Sequence, residues 1–204
     1  MVTQTKESQA KLTPKSALAL LKQGNDRFVN NKKVDRNLLE QVKATTGGQH
    51  PFAVILSCID SRTSSELIFD LGIGDVFNAR LAGNVVNEDV LGSMEYACKV
   101  AGSKVVLVLG HTKCGAVTSA CQKVEMGNVT ALLSKIQPAV QKVESQVDDV
   151  TAPEAVQQVA DENVRIAMDE VRSKSQVLAE MEKNGEISIV GGMYDVSTGK
   201  VRVF

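Results

Sequence analysis

The run Phe52-Ala53-Val54-Ile55-Leu56-Ser57-Cys58-Ile59-Asp60-Ser61-Arg62 passes without a break from five apolar residues to a thiol, a carboxylate and a guanidinium. Its apolar part has no polar alternation, which reads as a strand covered on both faces. Two further runs share that texture, Val76–Leu81 and Val105–Leu109, and helical stretches lie between the three, at Ser65–Leu71 and Asp89–Ala101. Strands alternating with helices argue for an α/β fold with a mainly parallel central sheet, helices on its faces and right-handed crossovers. Near the C-terminus, Ile187–Tyr194, the turn Ser197-Thr198-Gly199 and Val201–Phe204 read as a hairpin on the sheet edge.

Ahead of the first strand, Thr13-Pro14 has the form of a helix cap followed by proline in the first turn. Leu18, Leu20, Leu21 and Phe28 then give an amphipathic helix that ends near Asn30-Asn31. A second short helix covers Asn37 to Ala44 and is stopped by Gly47-Gly48. With no strand to cross to, these N-terminal helices are expected to pack on a partner subunit. Beyond Cys114 come helices broken near Gly127-Asn128, then one long helix expected from Pro153 to Lys183. The chain reads as a single domain over 1–204, with a helical arm at 1–46 and an α/β core at 47–204.

A net charge of −1, spread over 204 residues without charge blocks, gives no reason to expect nucleic acid or an anionic membrane as partner. No Trp, two Tyr and five Phe leave little from which to build a base-stacking platform. No apolar run approaches the roughly 20 residues that span a bilayer. The polar start MVTQTKESQA lacks the features of a secretory signal, so the cytoplasm is the expected location, or the periplasm if a signal was removed. Four cysteines in a chain long enough to hold a core without disulfides point to metal binding or catalysis for some of them.

Ligands of open parallel sheets bind beyond the carboxyl ends of the strands. Cys58 follows the first strand, and Val105–Leu109 runs into Gly110-His111-Thr112-Lys113-Cys114-Gly115. Both motifs therefore arrive at one rim, where Cys58, His111 and Cys114 make a Cys₂His zinc set whose fourth position falls to Asp60 or to water. Alone, either motif also suits a buried structural cysteine. Cys98 and Cys121 sit among alanines and valines at helical positions and read as core. Three residues separate Cys58 from Arg62, two fewer than the phosphate-cradling loop of a cysteine phosphatase holds, which sets that reading aside. Gly72-Ile73-Gly74-Asp75 leads into a strand and has no lysine, so it is not a phosphate loop.

Cys58–Arg62 (CIDSR) and Gly110–Gly115 (GHTKCG), with ELIFDLGIGDVF and LAGNVV between them, resemble the β-class carbonic anhydrases from about Gln49 to Gly115. A weaker match covers the helices on either side and GGMYD near the end. The resemblance implies zinc-dependent, reversible hydration of CO₂ to bicarbonate and a proton, by attack of zinc-bound hydroxide. It implies Cys58, His111 and Cys114 as zinc ligands, a catalytic Asp60–Arg62 dyad, and an active site in a cleft at the interface of a homodimer or dimer of dimers. Gln49 matches the family's substrate hydrogen-bond donor, Phe77, Ala82 and Tyr96 match the cleft wall, and Gly115 follows the last ligand. Arg80 and Tyr194 match two members of a non-catalytic bicarbonate pocket, but Ile55 stands where some members carry that pocket's tryptophan.

Asp60, two residues from a ligand, can compete for the metal and close the site as a fourth ligand. A bidentate pairing with Arg62 holds it back and leaves it free to take a proton from the nucleophile. Hydrolysis of a CO₂ analogue such as carbon disulfide uses the same ligands, and a structural or redox-sensing zinc domain uses them without a reaction.

Overall fold

The computed structural model describes residues 3–204, so Met1 and Val2 of the expected arm lie outside it. Strands β1 (Ala53–Ser57), β2 (Val76–Arg80), β3 (Val105–His111) and β4 (Ser188–Tyr194) run parallel in the order β2-β1-β3-β4. The short β5 (Val201–Val203) closes the far edge antiparallel to β4, as the hairpin pattern suggests. β1 and β3 are buried along their whole length, which is why they read as unbroken apolar runs. β2 departs from that reading. It is the edge strand, it is only half-buried, and Asn78 and Arg80 lie exposed.

The two faces of the sheet are separate apolar layers. Val54, Leu56, Val106 and Val108 face α5 (Glu88–Glu95), α6 (Gly115–Cys121), α8 (Gln137–Glu144), α9 (Pro153–Lys174) and α10 (Gln176–Lys183). Ala53, Ile55, Val105, Leu107 and Leu109 face the other way, onto Ala17, Leu21, Ile68 and Phe69. Successive crossovers keep one hand only if those moving in opposite directions use opposite faces. The step β1→β2 therefore takes its own face, and its one helix, α4 (Ser65–Ile68), is a single turn. That leaves bare sheet, and α2 (Pro14–Val29) covers it.

Here the sequence reading needs correction. The apolar side of the N-terminal helix has its own chain's sheet to pack on, with Ala17 and Leu21 fully buried there and Leu18, Leu20 and Phe28 half-buried. Burying a leucine in this way stabilises by about 1.5–3 kcal/mol. The short α3 (Leu38–Ala44), capped by Asn37, differs: Leu38, Leu39 and Val42 stay exposed. An additional helix, α1 (Lys6–Ala10), starts at Thr5, whose side chain and that of Ser8 cap each other's backbone N–H. Its buried Gln9 donates to the carbonyls of Pro51 and Ala101, which fastens it beneath the sheet.

Two helices end earlier than their sequence suggests. α4 stops before Asp70, which takes a left-handed φ of 46° so that Arg27 and Arg36 can both reach its carboxylate. The long C-terminal helix breaks at Ser175, whose extended backbone admits no helical turn. Its hydroxyl donates to Glu95, and it accepts the Leu178 N–H that opens α10. The break near Gly127 holds, and α7 (Gly127–Leu133) begins there.

Candidate metal centre

In the register of the sheet Ser57 pairs with Leu109, so Cys58 leaves β1 level with Gly110 and one position from His111. Gly110 has no room for a side chain, because a Cβ there would stand 2.6 Å from Val164 Cγ2 of α9. The chain then turns through Lys113, at a left-handed φ of 55°, and delivers Cys114 as the residue that opens α6. Cys58, His111 and Cys114 end with their ligand atoms all within 4.8 Å of one another, and all three are buried.

The ring of His111 has one nitrogen employed and one not. Nδ1 lies 2.9 Å from the Thr112 carbonyl, which can only accept, so Nδ1 carries the proton. That leaves Nε2 with a lone pair, buried and without a hydrogen-bond partner. An imidazole fixed by a backbone carbonyl, with its free nitrogen aimed at two sulfurs, is arranged as a metal ligand. Thr112 is itself clamped: its N–H donates to the Tyr194 carbonyl and its hydroxyl accepts the Val196 N–H.

The two thiols lie close enough to share a proton in a hydrogen bond. A hydrogen bond from Cys114 lowers the pKa of Cys58 against its burial, aided by the backbone N–H groups of Asp60 and Gly83. Cys114, as the donor to Cys58 and a buried group, is pushed up. A divalent cation would take the place of that proton and satisfy both sulfurs and Nε2 together. Two thiolates and a neutral imidazole suit zinc, with one tetrahedral position left over.

Asp60 stands outside this set, at its open side. Arg62 donates from Nε to Oδ1 at 2.8 Å and from Nη2 to Oδ2 at 2.7 Å, and its backbone N–H adds a bond to Oδ1 at 2.9 Å. That grip holds the Asp60 carboxyl well below the usual carboxylate range. Arg62 Nη2 also reaches the Lys113 carbonyl at 3.3 Å, which ties the first ligand loop to the second.

The other residues singled out from the sequence divide in position. Ala82 lies next to the centre, since the following N–H, that of Gly83, points at Cys58 Sγ from 3.4 Å. Gly115 is the exposed first residue of α6. Phe77 and Tyr96 meet edge-on, with centroids 6.3 Å apart, in a groove shared with Val54, Asn78 and Ala79 along the β2 edge. Gln49 is exposed and precedes β1, so it occupies the opposite rim of the sheet from Cys58.

Arg80 donates to the carbonyls of Cys58 (2.9 Å) and Asp60 (2.7 Å), bracing the ligand loop. Ile55 and Tyr194 are buried together on the α2 face. The second layer around the ligands was not foreseen from the sequence: Thr63, whose hydroxyl donates to the Cys58 carbonyl, Thr112, Gly83 and Asn163. Threonines and asparagines with such roles carry no local signature, and only Gly83, set between two apolar stretches, hints at a constrained backbone.

A family model described as carbonic anhydrase matches residues 53–201. Carbonic anhydrase 2 of Mycobacterium tuberculosis is 35% identical over 197 residues, covering 92% of this chain and 91% of that one. A carbonic anhydrase of Mycolicibacterium smegmatis is 32% identical over 200 residues, covering 93% of each. Among solved structures, the β-carbonic anhydrase CafA of Aspergillus fumigatus is 29% identical, with a TM-score of 0.71 over 93% of this chain and 89% of that one.

Proposed function

The chain belongs to the β-class carbonic anhydrases, enzymes of the reversible hydration of carbon dioxide to bicarbonate and a proton, and we propose that it works through a zinc ion held by Cys58, His111 and Cys114. One observation carries this reading: the buried Nε2 of His111 has no partner but two cysteine sulfurs within 4.8 Å. Zinc bound there is a Lewis acid that makes a water ionise far more readily than in bulk.

The chain's own groups do the rest. Asp60 is ionised, and Oδ2 faces the open side of the ligand set. It accepts the hydrogen bond of the reacting water and thereby turns that water's lone pair toward the carbon of CO₂. Asp60 could instead ligate and shut the site. Arg62 opposes this by occupying both carboxylate oxygens, so its role is restraint as well as charge. Ala82, beside the centre, suits the path of a substrate without charge, and Phe77 and Tyr96 add apolar surface in the groove along the β2 edge.

Gln49 has a different place in this proposal. Lying on the opposite rim, it serves the site of a neighbouring subunit, with its amide N–H as donor to a substrate oxygen. A homodimer, alone or paired into a tetramer, follows from that assignment. The exposed Tyr96 and Val100 beyond β2 supply apolar surface for it. The four cysteines are free and buried, which supports the reducing cytoplasm as the location. No helix among the described residues is long and apolar enough to cross a membrane.

The experiment is zinc per chain measured together with CO₂ hydration, for the parent and for His111→Ala. One zinc per chain with activity in the parent, and loss of both in the variant, is the expected result. A parent that is fully active without metal overturns the assignment.

A further inference from the structure

Gly83 lies in the turn that follows β2, at φ 68° and ψ 17°, a left-handed conformation that glycine adopts at little cost. Its N–H points at Cys58 Sγ from 3.4 Å. Its carbonyl accepts the side-chain amide of Asn163 at 2.8 Å, across 80 residues of chain. A Cβ at this position would stand 2.6 Å from Ile136 Cδ1 and 3.4 Å from the Cβ of Ala116, two residues past Cys114. Gly83 is thus wedged between one cysteine and the helix that follows the other.

Asn163 is 4% exposed, on the side of α9 that also buries Val159, Ala160, Val164 and Ala167. An amide among such neighbours is costly unless it is hydrogen-bonded. Packing asks for an aliphatic side chain here, and the Gly83 carbonyl is what accounts for the amide. Fixing that carbonyl fixes ψ of Gly83, and with the wedge of Ile136 it fixes the direction of the N–H on the other side of the same Cα.

We propose that Asn163 is a positioning residue of the metal centre, which locks Gly83 so that its N–H donates to the sulfur of Cys58. A hydrogen bond to a thiolate draws charge off the sulfur and sets the direction of its lone pairs. Asn163 therefore tunes how strongly Cys58 binds the metal, from a position that touches neither metal nor substrate. This deepens the proposed ligand set and rests on Cys58 being one of its members.

The test uses the full-length protein loaded with cobalt(II), whose thiolate-to-metal absorption band reports the cysteine ligands directly. Loss of a supporting partner of this kind weakens metal binding roughly tenfold or more. Asn163→Ala is expected to lose about tenfold in cobalt affinity by chelator competition and to shift the thiolate band. Asn163→Leu, which is close in size and offers no donor to the Gly83 carbonyl, is expected to do the same, and it replaces the alanine variant should that one not fold. A structural role alone lowers the melting temperature and leaves band and affinity at parental values, and that result overturns the proposal. A parent with no thiolate band removes the ligand set itself, whereas a parent with the band and unaffected variants removes only the role of Asn163.

Discussion

Asp60 Oδ2 stops 4.0 Å from His111 Nε2, beyond hydrogen-bond reach, while Arg62 holds both of its oxygens. The carboxylate is close enough to contest the ligand set and is restrained by a single side chain from the same loop. Removing that side chain should therefore cost more than a surface ion pair normally does.

Arg62→Ala is expected to lower CO₂ hydration by about a hundredfold, in the range typical of a misdirected acid–base group, with metal content unchanged. Arg62→Lys should recover only part of the loss, because a point charge cannot grip two oxygens in a plane. Rates of both variants at parental level, with zinc measured alongside, would show that the arginine does no more than tie the Cys58 loop to Lys113.

The four cysteines should separate into two pairs. Cys58→Ser and Cys114→Ser each remove a thiolate from the set and are expected to lose zinc and activity together. Cys98, buried in the helical turn Tyr96–Val100 that continues α5, is pushed up to about 12 by that burial and stays protonated. Cys98→Ser and Cys121→Ser should keep parental zinc per chain, at a cost to stability of about 1–3 kcal/mol for a poorly satisfied buried hydroxyl. Zinc loss in either of the latter two would reassign the ligands.

The strands and the Cys58, His111 and Cys114 cluster were legible in the sequence for one reason: their residues act where they stand. Val54 and Val106 are apolar because both faces of the sheet are covered, Cys58 lies directly beyond the end of β1, and His111 is the last residue of β3. What was not legible depends on residues distant in the chain. The place of α2 follows from the bare sheet beside the one-turn α4, and that turn is cut short by Asp70, which Arg27 and Arg36 hold from more than 30 positions away. The same holds for Asn163 on Gly83, and for Ser175, whose helix break is paired with Glu95. Local pattern reports burial and chemistry, but not the partner.

Asp70 leads to an acid-stability prediction. The Arg27 and Arg36 pairings and the Val34 N–H overcome its burial and lower its pKa in the folded state. A depressed carboxylate contributes stability that is complete above the unfolded value of about 4 and is lost as pH falls toward the folded value. Asp70→Asn is expected to cost about 3 kcal/mol at neutral pH, since it strands the buried Arg36 charge. The parent should lose stability below pH about 4 more steeply than the variant, as denaturant midpoints across pH would record. Equal acid slopes would remove Asp70 from the account.

The position of Gln49 gives the most direct test of a site shared between subunits. Gln49 precedes β1, Cys58 follows it, and the strand between them is fully buried, so one chain cannot bring the two together without breaking its own sheet. Gln49→Leu is expected to keep zinc and lose most activity, and Cys58→Ser to keep Gln49 and lose zinc. Neither should be active alone. In a mixed dimer, however, the zinc-bearing Gln49→Leu chain receives Gln49 from the Cys58→Ser chain, and one of the two sites is whole. Equal amounts refolded together should therefore regain about a quarter of parental activity, because half the dimers are mixed and each has one working site. Mixing the folded proteins without subunit exchange should regain none. If the refolded mixture stays as inactive as its parts while the parent refolds fully, Gln49 does not act across the interface, and the shared site should be abandoned.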